Sequence, residues 1–75
     1  MYLVEVPEGA LARVVRLEGG FQAVRKLQEL GIREGSIIRV LRNPKIGPLL
    51  IEVDGSTIAI GKGLASKIAV EVVRG

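Results

Sequence analysis

The alternation of apolar and polar residues is most regular between Leu49 and Ile60, where it predicts a β-hairpin. Asp54-Gly55 stands at its centre, and this dipeptide favours a two-residue type I′ turn. The register set by that turn puts most of the large aliphatic side chains on one face, in three opposed pairs: Val53 with Ser56, Ile51 with Ile58, and Leu49 with Ile60. Turn chemistry and alternation therefore indicate the same structure.

Three further short segments are predicted to be strands: Ala10 to Glu18, Ser36 to Arg42, and Ile68 to Val73. The residues expected on their inward faces are small or aliphatic: Ala12, Val14, Ile38, Val40, Ile68, Val70 and Val72. In the first segment, Val15-Arg16-Leu17 breaks the alternation, which predicts a β-bulge or a sharp bend.

The apolar period changes to that of a helix between Phe21 and Leu30. Four apolar residues then share one face of the predicted helix, while polar residues fill the other: Ala23, Val24, Leu27 and Leu30. Gly31 follows where a left-handed cap is needed, and Ile32 is placed to contact Leu27, as in a Schellman motif. Phe21 lies off the apolar face: it either packs onto the loop that enters the helix, which we expect, or is exposed for a partner.

The order of these elements indicates the fold class. A last helical turn is predicted at Leu64 to Lys67, just before the final strand, which is typical of SH3-like barrels. One short helix cannot shield five strands of an open sheet, whereas closing the sheet buries the inward faces and removes the edges. We therefore predict a mainly β protein, a small SH3-like five-stranded barrel with one α-helix after the first strand. The 75 residues leave room for a single domain, 1–75.

The composition limits the chemistry that the chain can perform. It contains no His and no Cys, so thiolate and imidazole ligands and the usual catalytic bases and nucleophiles are absent. Glu52 and Asp54 share a side of the hairpin, a spacing more typical of a solvated strand face than of a metal site. We expect no enzymatic activity, no metal site and no cofactor.

Charge and hydropathy leave binding as the expected role. The formal net charge is +3, and the basic residues are scattered among acidic ones rather than clustered. A small basic barrel that binds nucleic acid, or an SH3-like module that binds peptides, is kept as an alternative. Both partners favour aromatic surfaces, and Tyr2 and Phe21 are the only aromatic residues.

The first residues lack a basic segment and no apolar run is long enough to span a membrane, so we expect a cytoplasmic protein without membrane insertion.

Glycine and aliphatic residues recur with fixed spacing at four places along the chain. These are Leu3 with Val6-x-x-Gly9, Leu27-x-x-Leu30-Gly31-Ile32-x-x-Gly35-Ser36-x-Ile38, Gly47-Pro48 before Gly55-x-x-Ile58-Ala59-Ile60, and Leu64-Ala65-x-x-Ile68-x-Val70. Their order and spacing resemble those of the FeoA family of ferrous iron uptake over essentially the whole chain. The chain departs from that pattern at Gly61-Lys62-Gly63, where many family members carry Leu-Arg. It is also similar to the C-terminal SH3-like domain of iron-dependent repressors.

The resemblance implies a role in transition-metal homeostasis. A FeoA-like protein would act as a small cytosolic adaptor or regulator of ferrous iron uptake. Its partner would be a FeoB-type membrane iron transporter, whose cytosolic part contains a GTPase domain. The resemblance implies neither permease nor GTPase activity for this chain.

Some apolar residues have no evident inward place and are candidates for a contact surface. Ile37 and Leu41 fall on the outer face of their predicted strand, Leu50 on the outer face of the hairpin, and Ile46 in a loop. The apolar face of the helix would cover some of them, and the rest would form a patch rimmed by Arg39, Arg42 and Lys45. Such a patch also favours self-association. The full set of candidate partner-binding residues is Leu30, Gly31, Ile32, Ile37, Leu41, Lys45, Ile46 and Leu50.

Overall fold

The computed structural model describes residues 1–73 and arranges five antiparallel strands in one sheet. In chain order the elements are a 3-10 helix (Leu3–Glu5), β1 (Leu11–Leu17), α1 (Phe21–Glu29), β2 (Ile37–Arg42), β3 (Leu49–Val53), β4 (Ser56–Ile60), α2 (Lys62–Ala65) and β5 (Ile68–Val73). Neighbouring strands follow the order β4-β3-β2-β1-β5. The predicted fold class is confirmed: the protein is mainly β, with one helix after the first strand and a short helix before the last.

The hairpin of β3 and β4 has the predicted register. Val53 pairs with Ser56, Ile51 with Ile58 and Leu49 with Ile60. Asp54 and Gly55 have φ angles of 51° and 79°, the left-handed conformation that a type I′ turn requires at both central residues. The local turn chemistry therefore sets which side chains of the hairpin face the core.

Strand β1 pairs with both β2 and β5. Its register with β5 shifts between Val14 and Arg16, so the predicted bulge is confirmed, with Val15 as the additional residue. Ala12 and Val14 are buried on the inner side, as the alternation predicts. A bulge bends its strand, so β1 changes direction at Val15 within its pairing with β5.

Helix α1 ends in the predicted Schellman motif. Gly31 has a φ of 87°, and its N–H donates to the carbonyl of Gln28 at 3.0 Å. The N–H of Ile32 donates to the carbonyl of Leu27, also at 3.0 Å. Leu27, before the cap, and Ile32, after it, both belong to the core cluster. The cap therefore reverses the chain between two residues that are buried in the core.

Phe21 does not pack onto the entering loop, and that prediction was wrong: its side chain is 79% exposed. The place beside the loop is occupied by another side chain. A Cβ atom built on Gly19 would lie 2.7 Å from Cδ of Lys67 and 3.2 Å from Cβ of Ala23. The methylene stem of Lys67 thus covers the loop, as long cationic side chains often cover apolar surface, and Phe21 is left outside.

The core consists of aliphatic residues from every strand, the 3-10 helix and both α-helices. The side chains buried within residues 1–73 are Leu3, Val6, Ala12, Val14, Leu27, Ile32, Ile38, Val40, Leu49, Ile51, Val53, Ile60, Ala65, Ile68, Ala69 and Val70. None of the buried residues in this part of the chain is polar or charged. The packing is therefore stabilised by the burial of apolar surface without a buried polar network.

The sheet curves around this core without full closure, which differs from the closed barrel that we predicted. Hydrogen-bonded pairing runs from β4 to β5, and within residues 1–73 these two strands do not pair with each other. Beside β5 lies the N-terminal segment instead. Tyr2 forms an isolated bridge with Ala69, and the N–H of Val70 donates to the carbonyl of Met1 at 2.8 Å. The place that a closing strand would take is thus partly filled by the first residues of the chain.

Candidate partner-binding surface

The connection between β2 and β3 starts from a network centred on Asn43. Nδ2 of Asn43 donates to the carbonyl oxygens of Val4 and Val6 at 3.0 and 2.8 Å. Its backbone N–H donates to Oε2 of Glu8 at 2.8 Å. One side chain therefore satisfies two carbonyls of the N-terminal segment and fixes the start of the connection against it.

Helix α2 contributes a second support to the same connection through Lys62. Nζ of Lys62 donates to the carbonyl of Pro44 at 2.5 Å and to Oδ1 of Asn43 at 3.4 Å. Lys62 lies in the short glycine-flanked segment where the sequence departs from the FeoA pattern. This lysine links α2 to the first residues of the β2–β3 connection and restricts their movement.

Four of the candidate residues gather around this connection, and we call them the loop surface: Leu41, Lys45, Ile46 and Leu50. Ile46 is 90% exposed, the largest exposure among the large apolar side chains of residues 1–73. Leu41 lies at a shift in register between Val40 and Arg42, and Leu50 pairs opposite Arg42; both are half-buried. The loop surface thus presents a protruding isoleucine beside a lysine and two partly covered leucines.

The other candidate residues lie at the opposite end of β2. Leu30, Gly31 and Ile32 precede that strand, and Ile37 begins it with 42% of its side chain exposed. Ile32 is fully buried, so its side chain belongs to the core and is removed from the candidate surface. Leu30 packs against the same core and is half-buried. The structure therefore does not gather the eight residues into one patch.

Most arginines expected to give the surface its basic character have partners within the protein. Ion pairs join Arg13 to Glu71 and Arg16 to Glu18 at 2.6 Å, Arg25 to Glu29 at 3.4 Å, and Arg42 to Glu8 at 4.0 Å. Arg39 donates to the carbonyl of Gly9 at 2.9 Å. Most of these arginines therefore lie beside an acidic group, so the basic residues do not form the continuous positive patch that is typical of a nucleic-acid site.

A polar cluster on the other side of the molecule joins Tyr2, Arg16 and Glu18. The Tyr2 hydroxyl donates to the Glu18 carboxylate at 2.9 Å, and Nη2 of Arg16 donates to Oε2 of Glu18 at 2.6 Å. The hydrogen bond from Arg16, followed by that from Tyr2, lowers the pKa of Glu18 below its ordinary value of 4.5. The same pairing raises the pKa of Arg16. The cluster holds the start of the chain next to β1.

The lowered pKa of Glu18 predicts a change in acid stability. Because the folded state favours the ionised carboxylate, its stabilising contribution is present above pH about 4.5 and is lost as the pH falls through the lower folded-state value. Glu18→Gln is expected to reduce stability at neutral pH and to flatten the loss of stability on acidification. Urea unfolding measured from neutral pH to about pH 3 tests this. Glu34→Gln is the matched control, since Glu34 is exposed, and an equal effect of both changes would contradict the assignment.

A shallow depression of about 330 Å³ is lined by Arg33, Glu34, Gly35, Ser36 and Asp54. Oγ of Ser36 already accepts a hydrogen bond from the N–H of Arg33 at 3.0 Å. Apolar side chains are missing from this lining, whereas small-molecule sites are mostly lined by them. The depression therefore offers little to an organic ligand, and the loop surface is the better candidate site.

Sequence reasoning did not find the Asn43 network. In the sequence, Asn43-Pro44 indicates only the end of a strand, because proline cannot donate to a sheet. An amide directly after a strand and before a proline has both a donor and an acceptor free for neighbouring backbone. That was the available signal, but its partners lie 37 and 39 residues away in the sequence.

Fold and surface together define a small SH3-like β domain with an exposed isoleucine, Ile46, on the connection between β2 and β3. Within residues 1–73, no helix is both long and apolar enough to cross a membrane. The FeoA domain family model matches residues 1–72. The chain belongs to the FeoA family, a family of ferrous iron transport proteins.

Individual relatives agree with this assignment. A protein of Methanocaldococcus jannaschii, named as an Fe(2+) transport protein A, is 45% identical over 64 residues, which cover 85% of this chain and 77% of the relative. The crystal structure of an iron uptake regulatory protein (FeoA) matches with a TM-score of 0.93 and 38% identity over 97% of both chains. FeoA of Stenotrophomonas maltophilia, described as an SH3 domain protein, matches with a TM-score of 0.81 and 26% identity over 95% of this chain and 89% of that one.

The predicted resemblance to repressor domains is confirmed as well. Similar folds occur in metal-dependent transcriptional regulators such as the manganese regulator SloR, of which this chain covers 34%. The same small domain thus occurs both in FeoA proteins and as one part of longer regulators.

Proposed function

We propose that this protein is a cytosolic adaptor of ferrous iron uptake that binds a FeoB-type membrane transporter through the loop surface. Membership of a ferrous iron transport family supports a role in iron uptake. The exposed apolar residue of the loop surface supports a role in binding. The protein acts by contact with its partner and performs no reaction of its own. The chemistry of its side chains agrees with this, since it has neither His nor Cys.

The observation that carries the proposal is the exposure of Ile46 on a supported connection. An isoleucine that is 90% exposed contributes almost nothing to folding, whereas burying it against a partner is worth about 1.5–3 kcal/mol. The Asn43 and Lys62 contacts hold the start of the connection in place before binding. Less conformational entropy is then lost when the partner binds.

Ile46→Asp tests the proposal against a purified FeoB-type transporter from the same organism, reconstituted in detergent. We expect binding to weaken at least about tenfold, since a charge replaces an apolar contact at the centre of the surface. The thermal unfolding midpoint should stay within a few degrees of the unmodified protein, because Ile46 is outside the core. Isothermal titration calorimetry or biolayer interferometry measures the affinity.

Phe21→Asp is the matched control, since Phe21 is also a large, mostly exposed apolar side chain but lies on α1. Equal weakening by both substitutions, or full affinity of Ile46→Asp, would show that the loop surface is not the contact.

Leu41→Asp is less suitable, because Leu41 is half-buried and its replacement also affects folding. The two residues, which the sequence placed on the same candidate surface, differ in burial, and only Ile46 can be changed without affecting the core.

A further inference from the structure

Strand β4 is an edge of the sheet whose outer side has free backbone groups. In the two-residue hairpin, Val53 and Ser56 form the hydrogen-bonded pair that closes the turn. Bonded and non-bonded pairs alternate along an antiparallel ladder, so the N–H and C=O groups of Thr57 and Ala59 point away from β3. Within residues 1–73, neither residue makes a further backbone or side-chain hydrogen bond. These groups are therefore available to another strand.

The sequence of β4 lacks the features that usually protect an edge strand. Natural edges carry charged side chains, proline or a bulge, which prevent pairing with other chains. Ser56–Ile60 contains no charge and no proline, and its pairing with β3 is regular throughout. At the opposite edge, the outer side of β5 is partly covered by Met1 and Tyr2. The sheet thus has one protected edge and one that is suited to pairing.

We propose that two copies of this chain associate by antiparallel pairing of their β4 strands about a two-fold axis at Ile58. In this register, Thr57 of each copy lies opposite Ala59 of the other. These are the residues whose backbone groups point outward, so both opposed pairs become hydrogen-bonded. The two sheets would then continue into each other, with the interface made by the same strand in both copies.

The side chains around β4 agree with this register. The two Ile58 side chains meet on the inner face, where each is only half-buried in a single copy. Opposed residues Thr57 and Ala59 are uncharged and exposed, so no like charges come together. Asp54 precedes the strand and Lys62 follows it, but the ammonium group of Lys62 is held by Pro44 and Asn43 of its own chain, so charge contributes little to this pairing.

The contact is small, since β4 contains five residues. Stable protein interfaces bury upwards of about 1,200 Å², and a pair of short strands buries less. The association is therefore expected to be weak and to depend on protein concentration. It goes beyond the proposed transporter contact, because β4 carries none of the residues of the loop surface.

Analytical ultracentrifugation and NMR of the unmodified chain test this pairing. We expect a concentration-dependent monomer–dimer equilibrium and, in a mixture of isotope-labelled and unlabelled protein, a nuclear Overhauser effect between the Hα atoms of Ile58 in the two copies. Thr57→Lys combined with Ala59→Lys places lysines directly opposite each other and should weaken dimerisation at least about tenfold. Mixing this double-lysine variant with the Thr57→Glu/Ala59→Glu variant should restore association as a heterodimer, because each lysine then lies opposite a glutamate.

Gln22→Lys with Gln28→Lys is the control, since it adds the same charge at exposed positions of α1. A chain that stays monomeric up to about 1 mM would overturn the proposal, and the edge would then be free for an extended segment of another protein. A dimer that withstands the β4 lysines as well as the control does would also overturn it. Should the lysine variant fail to fold, the Ile58 cross-peak of the unmodified chain decides: its presence supports the pairing, and its absence in a dimer excludes it.

Discussion

Replacing Leu27 by alanine is expected to lower the free energy of unfolding by about 2–5 kcal/mol. Leu27 is the one fully buried residue of α1, and it packs into the same core cluster as Ile32 and the strands. Truncation removes apolar burial and leaves a cavity beside the helix cap. Since domains of this size are stable by only a few kcal/mol, a large part of the population would unfold at physiological temperature. Urea or thermal unfolding followed by far-UV circular dichroism measures the loss.

Leu30→Ala is the matched control for Leu27→Ala. It removes the same atoms from the same helix, but Leu30 is half-buried. We expect a loss of about 1 kcal/mol, because less surface leaves water and a smaller cavity forms. Equal losses for the two changes would mean that α1 is held on the sheet by its whole apolar face rather than by Leu27.

Asn43→Asp is expected to cost about 2–3 kcal/mol of stability and to loosen the β2–β3 connection. The substitution replaces the Nδ2 donor with a carboxylate oxygen that faces the carbonyl oxygens of Val4 and Val6. Two part-buried acceptors lose their donor, and a negative charge is set against them. The nearby ammonium group of Lys62 offsets part of the repulsion. Chemical denaturation measures stability, and NMR relaxation of residues 45–47 measures mobility.

Asn43→Ala is the control, because it removes the donor without adding charge. Its expected cost is about 1–2 kcal/mol, and the difference between the two variants isolates the repulsion. Both changes should weaken capture of the transporter although Ile46 is untouched, since the connection is then no longer held before binding. Normal stability and normal rigidity in Asn43→Asp would show that the network does not fix the loop surface.

The elements of this fold were predictable wherever local chemistry determines them. The β3–β4 register follows from Asp54-Gly55 and the alternation beside it, and the end of α1 follows from Gly31. Both depend on residues close in sequence, for which turn and cap preferences are strong. The bulge of β1 was likewise visible as a break in the alternation at Val15.

What could not be predicted depends on contacts between distant residues. Phe21 was expected to pack onto the entering loop, but the stem of Lys67, which is distant in the sequence, lies against Gly19 of that loop and Phe21 is exposed. The barrel was expected to close, but the N-terminal segment lies beside β5 where a closing strand would pair. Ile32 suited both a cap contact and a surface, and only its burial assigns it to the core. In each case two arrangements satisfied the local pattern, and tertiary packing selected one.

The wholly aliphatic core has a consequence for how this protein is observed. With one tyrosine, one phenylalanine and no tryptophan, no aromatic ring lies among the fully buried side chains of residues 1–73. Ultraviolet fluorescence therefore comes from Tyr2, whose hydroxyl bonds to Glu18 at the surface. Its emission reports the environment of that cluster directly and the aliphatic interior only through cooperative unfolding. Methyl resonances, or the amide signals of the strands, are the spectroscopic probes that follow the core itself.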